Sequence, residues 1–164
     1  MNHYMNAMRR YVDFSGRSSR SEFWFFILFY IIIVILATVI DATILGSQMG
    51  QGIGILSGIV MLVHIIPGLA VSVRRLHDID RTGFWVLLFV LAPALIWIVG
   101  LLIMGGSILM MMGGTDASAA AGFATMGMGF LVIGLIILAI VILAIVFYVT
   151  PGTLGPNTYG PPPA

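Results

Sequence analysis

Four uncharged apolar stretches, at 23–40, 53–73, 84–104 and 129–149, constrain this chain more than any other feature. Each is about a bilayer long: at a rise of 1.5 Å per residue, roughly 20 helical residues cross the hydrocarbon. Lipid offers no partner to a backbone N–H or C=O, so a spanning segment must be a helix or part of a closed barrel. The runs are continuously apolar rather than alternating, which argues against a barrel. Composition agrees, since 60% of the 164 residues are hydrophobic and 8% charged, too few polar side chains to cover a water-soluble domain. The expected fold class is all-α integral membrane, with four transmembrane helices and a short N-terminal interfacial helix.

The interfacial helix rests on Tyr4, Met5, Met8, Tyr11 and Val12, which recur at helical spacing while Asn2, Asn6, Arg9, Arg10 and Asp13 occupy other faces. Ser19-Arg20-Ser21-Glu22 then fits a capping box: the Ser19 hydroxyl accepts from the third helical amide and Glu22 reaches back to the cap amide. A cleaved signal peptide would begin with a short basic start ahead of an apolar core of about 7–15 residues. Here a mostly polar segment comes first and the run at 23–40 is long enough to stay in the membrane, so it reads as a retained helix. The chain divides into an N-terminal segment at 1–22, a four-helix domain at 23–149 and a tail at 150–164, whose prolines and glycines forbid a helix. The stretch 105–128, with Asp116 its sole charge, admits three forms: an external loop, an extension of the third helix, or a re-entrant hairpin.

All seven cations are arginine. Arg9, Arg10, Arg17 and Arg20 precede the first span, and Arg74, Arg75 and Arg81 lie between the second and third. Four spans put these two regions on one side, and the opposite loops carry no basic residue. The positive-inside rule therefore places the N-terminus, the central turn and the tail in the cytoplasm. A formal net charge of +1 argues against a nucleic-acid partner, and zero cysteines exclude disulfides and thiolate chemistry.

Three segments carry a family likeness: YVDFSGRSSRSEFW at 11–24, RRLHDIDRTGFW at 74–85 and PGTLGPNTYGP at 151–161. In order and spacing they resemble the bacterial inner-membrane family known as domain of unknown function 805. That resemblance implies a four-helix inner-membrane protein whose biochemical role is not established. The chain departs from the family pattern at 105–128, which looks like an insertion, and in the tail, where Thr158 and Pro162 stand where members often carry a basic and an acidic residue.

The polar groups able to carry chemistry are Arg17, Arg20 and Glu22 at the first span and Arg74, Arg75, His77, Asp78, Asp80 and Arg81 in the central turn. With the first two helices antiparallel these sets meet as a cytoplasmic cluster, in which Glu22 is expected to pair with Arg75 or His77. One reading makes the arginines topology anchors that snorkel to the interface, with Asp78 or Asp80 capping the third span. The other makes them a phosphate or phospholipid-headgroup site, because guanidinium pairs bind phosphate bidentately. His64, inside the second span and three residues before Pro67, reads as an interhelical hydrogen bond near a kink, no intramembrane carboxylate being at hand for a proton relay. Gly46, Gly50, Gly54 and Gly58 repeat every four residues, and Gly54 and Gly58 mark a helix-packing face. Trp24, Phe84 and Trp85 fit an aromatic belt. No P-loop, H-E-x-x-H or G-x-S-x-G is present, so no catalytic residue, metal or cofactor is assigned. The expected function is that of a non-enzymatic interaction or scaffold protein, its partners membrane lipids and either a membrane protein or further copies of the chain. A small oligomeric transporter or channel subunit is the alternative.

Overall fold

The computed structural model describes residues 2–44 and 54–163. Five helices follow one another: α1 (Asn2–Arg9), α2 (Arg20–Thr43), α3 (Ile55–Asp78), α4 (Phe84–Met111) and α5 (Asp116–Val149). The last four are long and apolar enough to cross a membrane, with mean hydropathies of 3.0, 2.1, 2.9 and 3.5. Among the described residues the only β feature is an isolated bridge between Asn157 and Gly160 in the tail.

Burial is inverted relative to a protein that folds in water. Leu36, Leu62, Leu102 and Leu131 are exposed, whereas the two largest fully buried side chains are Arg74 and Arg75. Apolar residues facing outward gain nothing from one another in lipid, so helix association there depends on polar bonds and close packing.

The chain forms two compact units. The first comprises Met1–Val86 with Tyr148–Ala164. Its apolar centre is small: Ala7, Phe23, Phe26 and Val71 are buried, and Tyr4, Met8, Ile27 and Tyr148 pack against them. Ser19 caps α2, accepting from the Glu22 amide at 3.2 Å, but only half of the expected capping box forms because the Glu22 carboxylate is drawn to Arg74. The start of α3 has no side-chain cap of its own at Gly54. Its orphan amides are met from α2 instead, where the buried Asp41 carboxylate accepts from Leu56 N at 3.0 Å and Ser57 N at 2.8 Å. An acid there also complements the positive helix end. Gly54 makes this possible, since a Cβ on it would overlap the Asp41 carboxylate.

The second unit, Leu87–Phe147, is a hairpin of the main parts of α4 and α5. Of the three forms open to 105–128, the helical one is found: α4 runs on to Met111, and α5 begins at Asp116, earlier than the apolar run that marked it. Thr115 and Ser118 cap α5 reciprocally, Ser118 N donating to Thr115 Oγ1 at 3.1 Å and Thr115 N to Ser118 Oγ at 3.3 Å. The two helices touch through glycine. A Cβ on Gly122 would lie 2.7 Å from Ser107 O, and one on Gly129 would lie 2.8 Å from Ile103 Cγ2.

Candidate functional site

The first unit gathers three buried arginines around two buried carboxylates. Arg74 and Arg75 sit in the last turns of α3, Arg17 in the segment before α2, Glu22 in the first turn of α2, and Asp78 at the end of α3. Arg74 donates from Nε to Ser18 Oγ at 3.0 Å, from Nη1 to the carbonyls of Arg10 and Asp13, and from Nη2 to Glu22 Oε1 at 3.3 Å. Arg75 pairs with Asp78 Oδ2 at 2.5 Å and donates to the carbonyls of Tyr148 and Thr150. Arg17 pairs with Asp78 Oδ1 at 2.9 Å and donates to the tail carbonyls of Thr153, Gly155 and Gly160.

The expected partners are thus exchanged. Glu22 pairs with Arg74 rather than with Arg75 or His77, and Asp78 bridges Arg17 and Arg75 rather than capping the next helix. Position explains both. Side chains on α3 lean toward its N-terminus and only some face α2, while Asp78, three residues after Arg75, shares its face. Three guanidiniums against two carboxylates leave one positive charge in excess, and backbone carbonyl dipoles take it up. Some of these are the carbonyls that any helix end leaves unsatisfied: Arg75 meets Tyr148 O and the exposed Arg20 approaches Val149 O at 3.5 Å, so arginines close the C-terminus of α5.

The tail completes the site through its backbone. Thr153 N donates to Asp78 O at 2.9 Å, Asn157 Nδ2 to His77 O at 2.8 Å, and Thr158 N to Asp80 Oδ1 at 3.4 Å. The His77 ring stacks on Tyr159 with centroids 3.8 Å apart and planes 3° off parallel, and its Nδ1 lies 3.1 Å from Gly16 O. A Cβ on Gly152 would overlap the Asp78 carboxylate, so only glycine lets the tail lie this close. Of the remaining expected site residues, Asp80 is exposed with φ 57°, and Arg81 is exposed in the turn after it. Gly58 is half-buried in α3, its amide donating to Gly54 O at 2.8 Å, while Gly46 and Gly50 lie outside the described residues.

The protein-family comparison matches residues 11–161 to the model described as protein of unknown function DUF805. The chain belongs to this family. Two relatives are the inner membrane proteins YhaH and YhaI of Escherichia coli strain K12, each 40% identical over 99 residues. That stretch is 60% of this chain and 80% of YhaH or 79% of YhaI, so both are shorter than this chain. No solved structure matches. The family description names no activity.

Within this DUF805 chain a second polar contact lies deeper in α3. Pro67 has no N–H to give Val63 O, its partner in a regular helix. Tyr11 supplies the missing donor, its hydroxyl reaching Val63 O at 2.6 Å. His64 Nδ1 sits 2.7 Å from Val60 O, an acceptor only, so Nδ1 carries the hydrogen, and in a neutral ring Nε2 is left to accept from Tyr4 Oη at 2.9 Å. Burial pushes the Tyr4 phenol up, which keeps it a donor. The α1 face expected to meet lipid therefore packs partly on protein: Tyr4 and Ala7 turn inward, Met5 and Val12 outward, and the helix ends at Arg9 before reaching Tyr11. Proline in a membrane helix announces a carbonyl in need of a donor, a signal that could have flagged Val63 O but not Tyr11 as the residue that serves it. The tail carbonyls had no such signal, because any residue can present them.

Proposed function

We propose that this inner-membrane family member is non-enzymatic and acts through its cytoplasmic surface, which the arginine cluster builds rather than serves as a binding site. The occupancy of the guanidiniums carries this reading. A phosphate clamp needs donors that can turn to a ligand, whereas those of Arg17, Arg74 and Arg75 are spent on Glu22, Asp78, Ser18 and seven backbone carbonyls. No buried side-chain nitrogen or oxygen among the described residues lacks a hydrogen bond. The cluster ties the N-terminal segment, the first two spans and the tail into one platform. The exposed Arg9, Arg20 and Arg81 then face lipid headgroups or a protein partner. Arginine placement and the contacts of Arg17 with the tail support a cytoplasmic location for both termini.

The chain has no cysteine, so single labels test the orientation directly. Ala117→Cys should react in intact cells with a membrane-impermeant thiol reagent and Thr158→Cys should not, and the reverse pattern overturns the orientation. For the platform, Arg75→Lys should expose the tail to protease, since lysine cannot reach Asp78, Tyr148 O and Thr150 O together. A tail as resistant as the parent's would count against it.

A further inference from the structure

We propose that the outer face of α1 binds the headgroup of an anionic phospholipid. The inference rests on the platform reading, because that is what holds α1 at a fixed place beside two membrane-spanning helices. Tyr4 is bonded to His64, Tyr11 to Val63 O, and Ala7 is fully buried between them. The opposite face carries His3, Asn6 and Arg9 at i, i+3 and i+6, all exposed. With Met5 they line an open depression of about 520 Å³, a size in the range of small-ligand sites.

What lies next to this depression identifies its occupant. The His3 ring stacks on Phe25 of α2 at 5.6 Å and 18°, and Trp24 and Leu28 on that helix are exposed. The polar face therefore borders directly on an apolar surface of a membrane span. Polar side chains facing hydrocarbon are costly, so this level of the protein belongs to the headgroup layer. Charge gives the sign. The Arg9 side chain makes no ion pair or hydrogen bond among the described residues, and α1 contains no acid. Asp13, the acid that follows in the chain, is held by Arg10 at 2.8 Å and by Ser15. Glu22 on α2 is buried against Arg74. A guanidinium with amide and imidazole donors beside it suits a phosphodiester, and the apolar strip of Phe25 and Leu28 suits the acyl chains attached to it.

The experiment titrates full-length purified protein in neutral detergent with phosphatidylglycerol, phosphatidylcholine or inorganic phosphate, reading the thermal midpoint. Phosphatidylglycerol should raise the midpoint and the other two should not. Arg9→Gln, at an exposed position, should melt like the parent without lipid but need roughly tenfold more phosphatidylglycerol for the same shift. An unchanged titration for Arg9→Gln overturns the site, and so does an equal response to phosphatidylcholine. A shift with inorganic phosphate of the same size overturns the lipid assignment in favour of a soluble anion. Tail protection from protease, read on the same samples, separates this result from the platform: a parent that shows no lipid preference while its tail opens only in Arg75→Lys loses the site and keeps the platform.

Discussion

The two units of this protein are both helical and both long enough for a bilayer, yet opposite means hold them together. Around α2, α3 and the tail, ion pairs and arginine–carbonyl bonds do the joining, and the apolar centre is four residues. Within the hairpin of Leu87–Phe147, glycines bring Ser107 and Ile103 of one helix against the backbone of the other. Lipid removes the hydrophobic drive that would unite helices in water, leaving strong polar bonds or close van der Waals packing as routes to association. One chain uses each route in a separate region, and the contrast says where function should be sought. The polar unit spends its charge internally but presents a shaped surface, while the hairpin presents apolar side chains that suit lipid.

Substitutions should therefore act by different mechanisms in the two regions. The largest effect is expected from Asp78→Ala, which strands Arg17 and Arg75 together. Removing one partner from a buried pair costs about 3–5 kcal/mol, so chemical unfolding in detergent should show a loss of this order along with a protease-sensitive tail. In the hairpin, Gly129→Leu should cost about 1–3 kcal/mol by overpacking and leave the tail protected; a tail that opened in this variant would erase the distinction between the regions. Tyr11→Phe should cost about 1 kcal/mol by withdrawing the donor from Val63 O, read as a small fall in the thermal midpoint. The smallest effect is expected from acid. The Ser15 hydroxyl and then Arg10 hold the Asp13 carboxyl well below its ordinary value of 3.8. The unfolded chain thus takes up the proton first, so the contribution is complete above that ordinary value and fades as pH falls toward the folded one. Between pH 5 and 3, where a carboxyl of ordinary value takes up its proton, the Ser15 amide resonance should not move, and movement there would show that the turn around Asp13 is not formed.

Much of this was legible in the sequence, and the reason differs from one element to the next. Apolar runs of bilayer length announce spans because lipid forbids any other use of them. The cluster residues were legible as a group, since arginines gathered on one side of the membrane face one another once the first two spans lie antiparallel. Their pairing was not, because Glu22 and Asp78 each had several arginines within reach and the choice depends on which face of α3 meets α2. The extent of α4 and α5 was hidden by composition: the glycines and methionines of 105–128 suit loop and helix alike, and the helix follows from contacts such as Gly122 on Ser107 O. Asp41 lies just past the first apolar run, and its role was hidden because its partners, the amides of Leu56 and Ser57, have no side-chain signature.

Hydrogen exchange at the tail amides tests the central claim most directly, that the buried arginines are a lock inside the protein. In the parent, Thr153 N, bonded to Asp78 O at 2.9 Å, should exchange slowly despite lying in a segment rich in proline and glycine. In Arg17→Ala that protection should vanish while amides of the α4–α5 hairpin keep theirs. A parent whose Thr153 amide already exchanges as fast as an unstructured peptide would contradict the account, for the guanidinium of Arg17 would then be free of the tail and open to an external ligand.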